Sequence, residues 1–133
     1  MAVRLRVTEL TITAPDPRAL ARFYARLLDR PVTTEEGPAP GEPPEAGWAQ
    51  IRAPEGSGEI TLNFEWERRW RRPRWPAEPD APFATQHLDF QVTDLDAAVA
   101  HALAAGATLA PVQPQENVRV LFDPAGHPFC LFV

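Results

Sequence analysis

Few residues in this sequence combine the type and the setting that chemistry requires. His87 stands at the head of the alternating run HLDFQV, residues 87–92. An imidazole there can ligate a metal, act as a general base or donate a hydrogen bond to a ligand. It can equally be an ordinary strand histidine, and these readings stay open. Cys130 is the single cysteine, between Phe129 and Leu131 in an apolar closing run. There it packs as a small hydrophobe. A reactive thiol would need an electropositive neighbourhood, which nothing local supplies. His127 lies in the turn DPAGH, 123–127, where it caps or faces solvent, and His101 falls towards the polar side of a helical pattern.

The segment FEWERRWRRPRWP, 64–76, interleaves Trp66, Trp70 and Trp75 with Arg68, Arg69, Arg71, Arg72 and Arg74. As a lid over a cleft it would offer flat apolar surface to a planar or hydrophobic ligand, and arginine to a carboxylate or phosphonate. As a plain linker its tryptophans would cover a sheet while the arginines stay solvated or stack on them. Aromatic–basic interleaving also suits nucleic-acid stacking, but the net charge of −5 opposes that.

Composition excludes several chemistries. All 13 basic residues are arginine, which rules out Schiff-base catalysis and lysine-held pyridoxal. The seven glycines fall into no phosphate-loop spacing. No run approaches the roughly 18 apolar residues of a membrane span, and MAVRLRVTEL alternates like a strand, without a signal-peptide core. One cysteine permits no internal disulfide and fits a reducing compartment. The expectation is a cytoplasmic protein that binds neither nucleic acid nor membrane.

The elements that must position these residues occur twice. ELTITAPDPRALARF, 9–23, parallels HLDFQVTDLDAAVAH, 87–101, with Asp16 and Asp94 each at a helix start. An aspartate N-cap accepts the orphan amides of the first turn. A helix over 17–28 presents Leu20, Phe23, Tyr24, Leu27 and Leu28 on one face and a solvated Arg18, Arg22, Arg26 stripe on the other. A second, over 95–105, presents Leu95, Val99, Ala102 and Leu103 and ends at Gly106. Strands follow at 31–35, 47–54 and 59–67, then at 107–112, 117–122 and 128–133. Each half reads β-α-β-β-β. The proline-rich, acidic stretch 38–47 is a solvated loop, and its glutamates, with Glu35 and Glu36, serve solubility. The expected organisation is a single 1–133 domain with a first module at 1–67, a linker at 68–84 and a second module at 85–133.

Two βαβββ modules with Asp-started helices and the closing DPAGHPFCLFV resemble the vicinal oxygen chelate superfamily. That group holds glyoxalase I, extradiol dioxygenases and the bleomycin- and fosfomycin-resistance proteins. PRWPAEPDAPFATQHLDFQV is similar to the linker of a glyoxalase-like, actinobacterial-type subgroup. The resemblance implies an α+β fold whose curved mixed sheets surround a cleft. It places the superfamily's metal-ligand positions at Glu9, Thr61, His87 and Cys130, with Cys130 where the family carries glutamate. His87 and Glu9 are good donors, Thr61 is a weak neutral one, and a Cys130 thiolate favours zinc over manganese, nickel or iron(II). The reading is a homodimeric small-molecule-binding protein of resistance or sequestration type with a degenerate metal site. Its ligand-binding residues would be Glu9, Thr61, His87, Cys130, Trp66, Trp70 and Trp75. No cofactor is expected beyond a divalent metal, for which His87 and Glu9 would be the donors. The rival is a lyase, isomerase or dioxygenase in which His87 and Glu9 are catalytic, with or without that metal.

Overall fold

Both aspartates begin helices. The Asp16 carboxylate accepts the amide of Ala19 at 3.1 Å, and that of Asp94 accepts Ala97 at 3.0 Å. Residues 2–133 are described by the structure, a computed structural model. The chain runs β1 (Glu9–Ala14), α1 (Pro17–Leu28), β2 (Thr34–Glu36), β3 (Trp48–Ile51), β4 (Thr61–Trp66), β5 (Leu88–Gln91), α2 (Leu95–Ala105), β6 (Thr108–Leu109), β7 (Val118–Phe122) and β8 (Pro128–Phe132). This is βαβββ twice over, an α+β fold. It falls into two units, one ending at Arg69 and the other running from Trp70 to Val133.

In the first unit the strands lie in the order β1-β4-β3-β2, with β1 parallel to β4 and the remaining pairs antiparallel. Because side chains alternate across a sheet, Leu62 and Phe64 face α1 while Thr61, Asn63 and Glu65 face away. Tyr24 of α1 stacks on Phe64 with ring centroids 5.6 Å apart, and Phe23 meets Tyr24 edge-on. The second unit repeats the order as β5-β8-β7-β6, with β5 parallel to β8. Its buried side is built on Leu121, Phe129 and Leu131, with Phe90 edge-on to Phe129. No helix among the described residues is long and apolar enough to cross a membrane.

Several expectations need correction. Residues 2–8 form no strand, and Val3, Leu5 and Val7 are exposed. Alternation alone cannot make a strand without a partner, and the parallel ladder begins where Glu9 meets Thr61. The minor strands are shorter than their apolar runs. β2 is shifted to Thr34–Glu36, and β6 keeps two residues before Pro111 removes a ladder donor. In α2 the buried residues are Ala102 and Ala105, while Leu103 is exposed. Arg18 is not a free surface charge. Its Nη2 donates to the carbonyls of Pro44 at 2.5 Å and Ala46 at 3.2 Å, pinning the proline-rich loop to α1. That loop re-enters the sheet through Gly47 at φ +128°, where a Cβ would come within 2.3 Å of the Glu36 carbonyl oxygen.

Candidate functional site

On the face of the first sheet away from α1, three polar side chains join across three strands. The Gln50 amide nitrogen on β3 donates to Asn63 Oδ1 on β4 at 2.8 Å. Asn63 Nδ2 in turn donates to Glu9 Oε2 on β1 at 3.0 Å. Gln50 and Asn63 are buried, and Glu9 is exposed at the open edge strand. Two buried amides therefore aim a solvent-facing carboxylate, leaving its other oxygen free to accept from an N–H or cationic group. Thr61 lies opposite Glu9 in the register, but its hydroxyl accepts the Ala53 amide at 2.9 Å and so closes the β3–β4 hairpin. Asn63 and Gln50 were missed from sequence. Their signal was a polar residue at alternate positions of otherwise apolar strands, in TLNFEW and WAQI.

In the second unit, His87 lies just before β5, and Asp89 follows on the same face two residues later. Asp89 and Cys130 are register partners across the parallel β5–β8 pair. His87 Nε2 is 3.2 Å from Asp89 Oδ1, with both side chains about half exposed. Burial, and then the adjacent Asp89 carboxylate with its hydrogen bond to the thiol, push the Cys130 pKa up. A nearby anion opposes thiolate formation, so Cys130 is no activated nucleophile. Asp89 was not singled out from sequence. Its signal was the i, i+2 spacing from His87.

The turn before β8 has its own polar centre. Asp123, fully buried, accepts the amides of Ala125 at 2.9 Å and His127 at 3.0 Å and the His127 Nδ1 at 2.8 Å. His127 thus neither caps nor simply faces solvent; it is oriented by Asp123 and lies against Trp70, ring centroids 4.9 Å apart. Trp75 packs edge-on to Phe122 of β7 at 6.4 Å. Arg72 donates to the Pro124 carbonyl at 3.2 Å. In the first unit Arg68 lies over Trp66 at 5.5 Å. Trp70 and Trp75 thereby strap the linker onto the β7–β8 hairpin, and Arg68 stacks on tryptophan as cation–π geometry favours.

The sequence model of the glyoxalase-like domain family matches residues 9–132. The chain belongs to this family. Its fold is that of the vicinal oxygen chelate superfamily, as solved structures show. A glyoxalase family protein from Enterococcus faecalis superposes with a TM-score of 0.68 at 17% identity, covering 96% of this chain and 97% of that one. The antibiotic-binding protein TnmS3 from Streptomyces sp. CB03234 gives 0.59 at 20% identity, with 99% and 97% covered. A glutamine mutant of the fosfomycin resistance protein FosX from Listeria monocytogenes, complexed with Mn(II) and a dihydroxypropylphosphonic acid, gives 0.65 at 12% identity, with 98% and 90% covered. No match was found among curated proteins.

The superfamily's metal can be tested against the donors present. Of the first unit's two positions, Thr61 offers a neutral hydroxyl already engaged by a backbone amide, and Glu9 is held by Asn63. The second unit offers His87 and Cys130 with Asp89 between them. This is a softer set than the oxygen donors that manganese prefers.

Proposed function

We propose that this glyoxalase-like protein binds a small molecule, as a resistance or sequestration protein does, without the superfamily's four-position metal set. The observation that carries the reading is the Gln50–Asn63–Glu9 row. It holds one ligand position as an amide-aimed hydrogen-bond acceptor, while neighbouring Thr61 serves the hairpin. Glu9 would accept from an N–H or cationic group of the ligand. Structural likeness to an antibiotic-binding protein and to a fosfomycin resistance protein is consistent with this class. The test is a fluorescence-quenching screen of planar, nitrogen-bearing compounds against the four tryptophans. A hit is expected to bind unchanged and to lose affinity in Glu9→Gln. Conversion of the hit into product by the protein would overturn the sequestration reading.

The rival is a lyase, isomerase or dioxygenase. It is favoured by the contact of His87 Nε2 with Asp89 at 3.2 Å, since a carboxylate partner orients an imidazole for acid–base work. In that reading His87 moves the proton, with Asp89 as its carboxylate partner. His87→Ala must then abolish turnover of an identified substrate, and retained turnover would dismiss it.

A further inference from the structure

Residues 2–8 bury nothing of their own. Val3, Leu5 and Val7 are 88%, 92% and 82% exposed, and they alternate with Arg4 and Arg6. Among the described residues, 2–7 make no hydrogen bond or ion pair. The ladder reaches back only to Thr8, whose carbonyl accepts the Thr61 amide at 2.9 Å. The segment carries a strand's pattern, apolar on one face and basic on the other, without a strand partner. Such a run adds readily to the open edge of another sheet. The first sheet has an edge of opposite charge at β2. That strand is outermost, pairs only with β3 and exposes all three of its residues. It carries Glu35 and Glu36, Glu42 and Glu45 follow in the loop, and no basic residue occurs from 31 to 51. We propose that residues 2–8 form an arm that adds as a strand to β2 of a second copy of this chain, each copy lending its arm to the other.

Charge selects this pairing. Two arms laid together would set arginine beside arginine, and two β2 edges glutamate beside glutamate, both unfavourable across strands. Arm on edge is the combination that remains. Glu35 turns towards α1, where Arg22 already meets it at 3.6 Å. Glu36 turns the other way and has no cation beside it among the described residues. With Leu5 opposite Glu35, alternation sets Arg4 and Arg6 on the face of Thr34 and Glu36. Glu36 then stands opposite Arg4 if the added strand runs antiparallel, and opposite Arg6 if it runs parallel. Val3, Leu5 and Val7 fall on the α1 side, where the aliphatic stem of Arg22 reaches over β2. A closed pair related by a two-fold axis satisfies both arms and both edges at once. The contact uses neither Glu9 nor any residue of the second unit, and it stands whether or not the proposed small molecule is found.

The test is sedimentation equilibrium of the full chain, with the fold of each variant checked by circular dichroism. The wild type should be a dimer at low salt and should weaken as salt screens the contact. Leu5→Asp should raise the dissociation constant by at least about tenfold, and so should the pair Arg4→Glu with Arg6→Glu. These positions are exposed enough to spare the fold. Glu36→Arg should weaken the dimer similarly. Mixing the arm variant Arg4→Glu/Arg6→Glu with Glu36→Arg should restore a dimer of the two, because each arm then meets an edge of opposite charge. A wild type that is monomeric or larger than a dimer, a dimer unmoved by Leu5→Asp, or a mixture that fails to recover would each overturn the proposal.

Discussion

Replacing Asn63 with leucine breaks the first unit's polar row at its centre. Asn63 both accepts from Gln50 Nε2 at 2.8 Å and donates to Glu9 Oε2 at 3.0 Å. Leucine keeps a branched side chain but serves neither partner. Glu9 is exposed and regains water, so its loss costs little in stability. Gln50 is only 9% exposed, and its amide is left without an acceptor, which costs about 1–3 kcal/mol. Removing the orphan as well should undo most of that penalty, because replacing both members of a buried polar pair is close to neutral. Gln50→Met in the Asn63→Leu background should therefore restore stability, and the double-mutant cycle should show strong coupling. Urea unfolding of the wild type, both single variants and the double variant measures it. Ligand affinity should follow a different course: it should fall in Asn63→Leu and stay low in the double variant, since Glu9 is unaimed in both. A single variant within about 0.5 kcal/mol of wild type, or a double variant as unstable as the sum of its parts, would refute the reasoning.

Asp123→Ala should destabilise by roughly 2–5 kcal/mol, because it orphans the amides of Ala125 and His127 beneath the turn; Asp123→Asn, which keeps an acceptor, should lose less in the same urea titration. Gly126→Ala forces a side chain into φ +97° and puts its Cβ 2.5 Å from Arg72 Cγ, so a loss of about 1–3 kcal/mol is expected, together with a change in Trp70 emission as the strap shifts. For Cys130 the folded thiol keeps its proton where the unfolded thiol has lost it, since burial and Asp89 raise its pKa above the ordinary 9.0. Stability should then fall as pH rises past that value, a slope that unfolding in alkaline buffers should no longer show in Cys130→Ala. Asp89→Asn should speed iodoacetamide labelling of Cys130 at pH 8 in metal-free protein.

The fold was legible because its signals are local and repeated. Asp16 and Asp94 cap helices whose ends, Leu28 and Ala105, fall where the sequence put them. The βαβββ order followed from apolar runs separated by turn residues. What misled were patterns that need a partner to acquire meaning. Residues 2–8 alternate as well as any strand, yet the ladder begins only at Glu9. Leu103 fits an apolar helical stripe, but α2 approaches its sheet through Ala102 and Ala105, whose small side chains admit close packing.

The site divides along the same line. Glu9, Thr61, His87 and Cys130 were reached through the likeness of the two halves and of the closing strand, which fixes backbone positions. A backbone position does not say what a neighbouring strand has already committed. The Thr61 hydroxyl is engaged by Ala53, eight residues back across a hairpin whose geometry no motif encodes, while Glu9 answers to Asn63, 54 residues away. Asp89 makes the opposite case. It carries no motif and sits on an exposed edge strand, yet parallel pairing sets it beside the single cysteine and one turn of alternation beyond His87. Reading one face of two paired strands together, rather than each strand for its own best donor, changes the second unit's chemistry. A lone histidine and a cysteine in place of a family glutamate become a three-donor set. Asp89 holds the His87 ring at 3.2 Å and opposes ionisation of the Cys130 thiol, a coupling that neither strand shows on its own.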